Sequence, residues 1–346
     1  MKEVVLTLCD GTRWEGVSAN GLTEAEGEVV FTTAGCGYPQ SLTDPSYNGQ
    51  VLVFAFPLVG NYGVDEERLE SERPWIKAVI ASSLTGESRL GPVLEEWLKA
   101  RGIPAVSGVD TRALVRHLRE RGTVMGRVSP EGKLPEKTEL PRDLATEASV
   151  KELKVHNEAS GGPRIALLDY GVKANIVREF LRRDCTLFQC PAGMDAESVL
   201  ALRPDGIVLS NGPGDPSWLV PQVETVAALL GKRPLWGICL GLQVMALAAG
   251  AKTYKLPYGH RGANHAVAEA GGDRGWITSQ NHGYAADGDS LRGTGFSVSF
   301  RHLGDGSVEG IQNDRAKAWA VQFHPEAFAG PRDTGFLFDD FLKGLK

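Results

Sequence analysis

The stretch "PLWGICLGLQVMALAAG", residues 234–250, joins two patterns at a single thiol. Pro234 to Ile238 reads as a buried strand. Beyond Cys239, residues Leu240, Leu242, Val244, Met245, Leu247 and Ala248 recur at helical spacing until Gly250 stops the run. A strand passing into a helix through Gly-x-Cys-x-Gly has the pattern of a nucleophile elbow. Gly237 and Gly241 carry no side chain to crowd the turn, so the residue between them projects outward. The following helix points its free N–H groups and positive dipole end at the sulfur, which favours thiolate over thiol.

Upstream, the same rhythm repeats. "RIALLDYG" (164–171), "CTLFQC" (185–190) and "GIVLSNGPG" (206–214) read as strands. They alternate with helical patterns at "KANIVREFLRRD", "AESVLALR" and "QVETVAALLG". This alternation predicts an α/β fold, a doubly wound, mostly parallel sheet with helices on both faces. Functional residues in such sheets gather beyond the carboxyl ends of the strands, where both Cys239 and "SNGPGDP" (210–216) fall. From residue 251 the alternation gives way to short β-like pieces: "AKTYKL", "GWITSQ", "FSVSFR", "SVEGIQ" and "AWAVQF".

The N-terminal half is less regular and reads as a smaller, β-rich α/β domain. A hairpin turns at Asp10-Gly11, "WIKAVIASSL" reads as a strand, and "GPVLEEWLKARG" as a helix. A second helix, "VDTRALVRHLRERG", is capped by Asp110 or Thr111 and carries His117 on a surface or an interface. Residues 129–162 are polar and broken by Pro and Gly, which sets the expected domains at 1–150 and 164–346 with a linker at 151–163.

The 346 residues suggest two domains, and 42% hydrophobic with 23% charged residues is ordinary for a globular protein. A net charge of −6 without a basic run argues against nucleic acid as a partner. No apolar run has the length of a membrane span, and the start lacks a signal-peptide core. The five cysteines are odd in number and show no CxxC spacing, so reduced thiols in a cytoplasm are expected.

A thiolate nucleophile needs a base. "VQFHPEA" (321–327) offers His324 and, two residues on, Glu326, with Pro325 stiffening the pair. Alternate residues at a strand end share a side, so Glu326 can orient the imidazole through its far nitrogen. Cys239, His324 and Glu326 then form a triad of the acyl-transfer type.

"GICLGLQ", "VQFHPEA" and "SNGPGDP" together resemble the signatures of class I (triad) glutamine amidotransferases. "GYPQSLTDPSYNGQ", "GNYGVDEE" and "GVDTRALVRHLRERG" are similar to the amino-terminal domain of the carbamoyl phosphate synthetase small subunit. "LLDYGVKANIVREF", "GHRGANHAV" and "TSQNHGYA" continue that likeness, which covers nearly the whole chain in order. The resemblance implies a flavodoxin-like amidotransferase domain. It implies hydrolysis of the side-chain amide of glutamine through a cysteinyl thioester, with Cys239 as nucleophile, His324 as base and acid, and Glu326 as orienter. It assigns the oxyanion hole to the amides of Leu240 and Gly212. It places the glutamine contacts at Ser46, Gly212, Gly214, Leu240, Gln243, Asn281, Gly283 and Tyr284. Ammonia passes to a large partner subunit, on which ATP and Mg are expected, while this chain needs no cofactor. Whether the product feeds arginine or pyrimidine synthesis stays open.

Three positions depart from the family pattern. Leu242 stands where histidine is usual, Ala266 replaces a proline and is expected to loosen its loop, and Tyr284 replaces a phenylalanine. His260 and His265 lie five apart in the same Gly-rich segment, read as a loop, but no Cys or carboxylate completes a metal set in the sequence, so no metal is expected. His282, beside Asn281, is expected to shape the pocket. "GRVSPEGKL" (126–134) fails as a phosphate loop: five residues separate its glycines, and leucine stands where Ser or Thr would bind magnesium. Two other readings compete, a glutaminase serving another acceptor (chorismate or a nucleotide) and a silent regulatory subunit. The N-terminal segment argues against the first and the intact triad against the second.

Overall fold

The computed structural model describes residues 2–327 and 329–345. The chain divides into two compact units, Met1–Pro141 and Arg142–Lys346.

In the first unit, seven strands close into a barrel. Around it run Lys2–Leu8, Arg13–Ser18, Ala105–Ser107, Ala78–Ile80, Gln50–Phe54, Ala25–Thr32 and Val124–Ser129, which pairs back with the first. The hairpin at Asp10-Gly11 forms, pairing Thr7 with Arg13. All five residues of Gln50–Phe54 are buried, because parallel neighbours flank this strand on both edges. Gly126 is held to glycine by close approach, since a Cβ there would stand 2.5 Å from the Val29 side chain and 3.0 Å from that of Leu8. Asp110, rather than Thr111, caps the helix Thr111–Arg121, its carboxylate accepting from the Ala113 amide at 2.9 Å.

The second unit is built on a ten-stranded sheet. Its parallel half contains Arg164–Asp169, Thr186–Pro191, Gly206–Leu209, Leu235–Ile238 and Ala318–Val321. Numbered along the chain, these strands lie side by side in the order 2-1-3-4-5, that of flavodoxin-like sheets. Alternate residues serve opposite faces. Ala166, Leu168, Ile207 and Leu209 pack with residues of the helices Val220–Leu229 and Leu240–Ala248. Ile165, Leu167, Val208 and Trp236 pack with residues of Ala174–Leu181 and Phe336–Lys343. On that second face Phe338 meets Trp236 and Phe180 edge-on, with ring centroids 4.9 and 5.2 Å away.

The other half of the sheet is antiparallel, so the unit is parallel only across its centre. Two pieces read separately from sequence belong to one long hairpin, Thr253–Glu269 paired with Gly275–Ala286. The Gly-rich segment expected as a loop is therefore strand, bent by register shifts between Lys255 and His260 and between Gly262 and His265. Ala266 pairs with Ile277 inside it, so no loop exists there to be loosened. Within 151–163, Lys154–His156 forms an edge strand beside Thr186–Pro191, and the helix Leu144–Ala148 also belongs to the second unit. The helix falls within "DLATEASVKELK", where a short helix is compatible with the sequence, whereas the three-residue strand is too short to show a period.

Candidate active site

Four successive strand ends of the parallel sheet supply the site. After Leu235–Ile238 the chain reaches Cys239 at φ 54° and ψ −105°, then enters the helix Leu240–Ala248. This is an unusual backbone conformation for a residue with a side chain, and it is held by packing on both sides. A Cβ on Gly241 would stand 2.3 Å from the Leu209 carbonyl oxygen, and one on Gly237 would stand 2.7 Å from the Gly241 backbone. The two glycines therefore let the elbow press against the neighbouring strand as well as against itself. The Cys239 thiol is buried and its sulfur lies 3.6 Å from the Asn281 carbonyl oxygen.

His324 follows the strand Ala318–Val321 and is fixed by a single bridge to Ser279, whose carbonyl accepts its amide at 2.9 Å. The chain then turns, with the Ala327 amide reaching back to the His324 carbonyl at 3.1 Å. His324 and Glu326 thus meet across a turn rather than by strand alternation. Nδ1 of His324 lies 2.7 Å from Glu326 Oε1, so Nδ1 carries the hydrogen. Nε2 makes no hydrogen bond among the described residues, while the Cys239 sulfur is close enough to act on the ring electrostatically. Burial opposes a charged imidazole, but the Glu326 carboxylate and the Cys239 sulfur outweigh it and carry His324 up to about 10.

Glu326 has a second partner that the sequence reading missed. Lys173, after the strand Arg164–Asp169, sets its ammonium 2.9 Å from Glu326 Oε1 and donates to the Ala327 carbonyl at 2.8 Å. Burial alone would raise the Glu326 carboxyl. Lys173 first, and His324 after it, reverse this and hold it at about 2. Asn175 donates to the Glu326 carbonyl at 2.6 Å, and the Lys173 amide donates to Asn211 Oδ1 at 3.0 Å. Lys173 and Asn175, in the stretch "VKAN", are both buried in the fold, which the sequence alone does not mark.

Gly212, after the strand Gly206–Leu209, lies against Leu240, whose side chain would stand 2.8 Å from an added Cβ; the Tyr170 carbonyl would stand 2.1 Å from it. Gly214 has φ +94°, a conformation that calls for glycine. Gln243 is buried on an almost wholly buried helix, and its amide donates to the Tyr284 carbonyl at 2.8 Å and to Gln322 at 3.1 Å. Asn281, Gly283 and Tyr284 lie on one strand, Gly275–Ala286. Leu242 is completely buried in the core on one face of the sheet, an apolar role that histidine would fill poorly. Ser46 belongs to the first unit, in the turn Pro45–Tyr47, where Asp44 accepts its amide at 2.9 Å.

The chain matches the family model for class-I glutamine amidotransferases over residues 166–344, and that for the carbamoyl-phosphate synthase small chain, CPSase domain, over residues 6–128. It is 43% identical over 353 residues to the carbamoyl phosphate synthase small chain of Listeria monocytogenes serotype 4b, covering 99% of this chain and 97% of that one. The chain belongs to the carbamoyl phosphate synthase small chain family. Its relatives reach across domains of life. The small chain of Methanopyrus kandleri is 43% identical, covering 97% of each chain, and that of Symbiobacterium thermophilum is 44% identical, covering 96% of each. Among the described residues no helix is long and apolar enough to cross a membrane.

Proposed function

We propose that this chain is the glutamine-hydrolysing subunit of a carbamoyl phosphate synthase, working through a thioester on Cys239 and passing ammonia to an ATP-using large subunit. The observation that carries the reading is the meeting of three groups at adjacent strand ends: a thiol on a strained elbow, an imidazole close enough to that sulfur to be coupled to it, and a carboxylate that fixes its tautomer. Whole-chain kinship to small chains supports the identity of the acceptor chemistry.

The roles follow from the atoms. The Cys239 sulfur attacks the glutamine amide carbon, and the carbonyl oxygen, turning anionic, is received by the Leu240 and Gly212 amides. An oxyanion donor of this kind is typically worth about 3–4 kcal/mol. His324 Nε2 takes the Cys239 thiol proton as the sulfur attacks and gives it to the departing amine, so that the C–N bond breaks and ammonia leaves. Water then adds to the thioester carbon with His324 taking a proton, and glutamate is released as the sulfur departs. Glu326 keeps the imidazole's hydrogen on Nδ1 and steadies the imidazolium. Lys173 keeps Glu326 ionised, so it acts as a positioning residue. Gln243, Asn281, Gly283 and Tyr284 line the approach for the substrate's amino-acid end.

Ammonia at neutral pH is mostly protonated and a poor nucleophile, which makes direct delivery to a partner chemically sensible. The test is glutamine hydrolysis by the chain alone and after co-purification with its large partner. Hydrolysis that needs Cys239, and carbamoyl phosphate formed only with the partner, would support the reading. Hydrolysis that feeds a different acceptor would overturn it.

A further inference from the structure

A second cluster of chemistry lies where the long hairpin meets the strand Val308–Asn313. His260 and His282 are cross-strand partners in the hairpin, and Glu309 stands on that third strand. All three are at least nine-tenths buried, with Glu309 fully enclosed. Glu309 Oε2 accepts from the Gln280 amide at 3.0 Å. Its Oε1 has no hydrogen bond among the described residues, yet lies 3.4 Å from His260 Nδ1 and 3.6 Å from His282 Nε2.

The outer nitrogens of both rings decide which atoms carry hydrogen. His282 Nδ1 lies 2.8 Å from the Tyr284 carbonyl oxygen, which can only accept, so its hydrogen is there and Nε2 shows a lone pair inward. His260 Nε2 lies 2.9 Å from Asp305 Oδ2, so a neutral His260 carries its hydrogen there and turns a lone pair inward from Nδ1, which has no hydrogen-bond partner among the described residues. Gln280 Oε1, 2.8 Å from His282 Nε2, sets another acceptor against that lone pair. Two imidazole lone pairs and carboxylate and amide oxygens face one another in a buried space. Burial disfavours charge on His260, but the Glu309 and Asp305 carboxylates outweigh it, so positive charge belongs among these groups, as a proton on His260 or as a metal ion in its place.

We infer that His260 Nδ1, His282 Nε2 and Glu309 Oε1 bind a divalent transition-metal ion of the zinc class. Tetrahedral bonds of about 2.0–2.1 Å set ligand atoms about 3.3–3.4 Å apart, close to the spacings of Glu309 Oε1 from the two rings. Imidazole ligands ordinarily donate their other nitrogen to a carboxylate or a backbone carbonyl, and Asp305 and Tyr284 provide one of each. The neighbouring trio His260, His265 and His302 also brings its donor atoms together. Its His265 Nδ1 and His302 Nε2 already bond each other at 3.0 Å, and both rings are only partly buried, so the Glu309 trio is the better cage. An ion there ties the hairpin to the sheet one residue from Asn281, whose carbonyl faces the Cys239 sulfur.

The test strips the full chain with a chelator and titrates zinc by calorimetry, with bound metal and thermal unfolding measured in parallel. One equivalent is expected, raising the unfolding midpoint and persisting in Cys239→Ser and His265→Asn. Glu309→Gln and His260→Asn are expected to bind at least about 100-fold more weakly, since even an outer-shell partner commonly accounts for about 10–100-fold. X-ray absorption of the zinc-loaded wild-type chain, which needs no variant to fold, is expected to report two imidazole ligands. Uptake no greater than in Glu309→Gln, loss of the ion in Cys239→Ser or His265→Asn, or three or more imidazoles on the metal would each overturn the assignment.

Discussion

Lys173→Met removes the cation that sits on Glu326 and leaves the carboxylate buried with His324 as its remaining charged partner. The Lys173 side chain is 5% exposed and that of Glu326 is fully buried, so water can compensate neither. Holding the Glu326 carboxyl at about 2 instead of its ordinary 4.5 corresponds to stabilisation of the carboxylate by on the order of 3 kcal/mol, with Lys173 the largest contributor. Breaking a buried pair by removing one partner costs about 3–5 kcal/mol in general, which agrees. For a unit of this size the loss amounts to a fall of on the order of 10 °C in unfolding midpoint. His324, facing an unshielded carboxylate, also holds its proton more tightly, so kcat for glutamine hydrolysis is expected to fall with little change in KM. The decisive comparison is a double-mutant cycle read by thermal unfolding and glutaminase assay. Lys173→Met with Glu326→Gln leaves no lone charge, so most of the stability returns while activity does not. A single variant as stable as the wild type, or a double variant no more stable than the single, would refute the reasoning.

Gly241→Ala places a methyl 2.3 Å from the Leu209 carbonyl oxygen, so the elbow must shift. A displacement near 1 Å at the nucleophile is expected to lower glutaminase turnover on the order of 100-fold; unchanged turnover would show that the close approach is unimportant. The pH dependence of stability follows from the same pair. The depressed Glu326 contributes above 4.5 and its contribution is lost as pH falls through about 2. The raised His324 contributes fully below 6.5 and its contribution is lost as pH rises through about 10. The unfolding midpoint of the wild type should therefore exceed that of Glu326→Gln most clearly between about pH 4.5 and 6.5, and a gap that widened toward alkaline pH would contradict the assignment.

The parallel half of the second unit was legible because its short apolar strands alternate with helical stretches, most clearly the amphipathic Ala174–Leu181. The elbow was legible because glycine on both sides of a cysteine has few other uses at a strand-to-helix corner. What escaped was non-local. Ala105–Ser107 is a strand of three residues whose partners make it a barrel stave, and no period exists over three residues; Ala78–Ile80, by contrast, falls within the strand expected at "WIKAVIASSL". The helix Phe336–Lys343 showed only Leu337, Phe338 and Phe341 as its apolar side, too short a run to mark a helix before Trp236 is known to receive it. Lys173 lies about 150 residues from Glu326 along the chain, and nothing local distinguishes a buried lysine from a solvated one. The cluster around Glu309 escaped for the same reason. His260 and His265 were visible as a spacing, but His282 and Glu309 join them only through strand pairing.

The central claim is that Cys239 is the nucleophile releasing ammonia from glutamine for use elsewhere. The most direct test assembles Cys239→Ser with the large subunit and measures carbamoyl phosphate formed from glutamine and, separately, from added ammonia. Glutamine-dependent synthesis is expected to fall by at least about 10⁴-fold, in keeping with loss of a covalent nucleophile, while ammonia-dependent synthesis holds at the wild-type rate. Substantial glutamine-dependent synthesis by the serine variant would contradict the account.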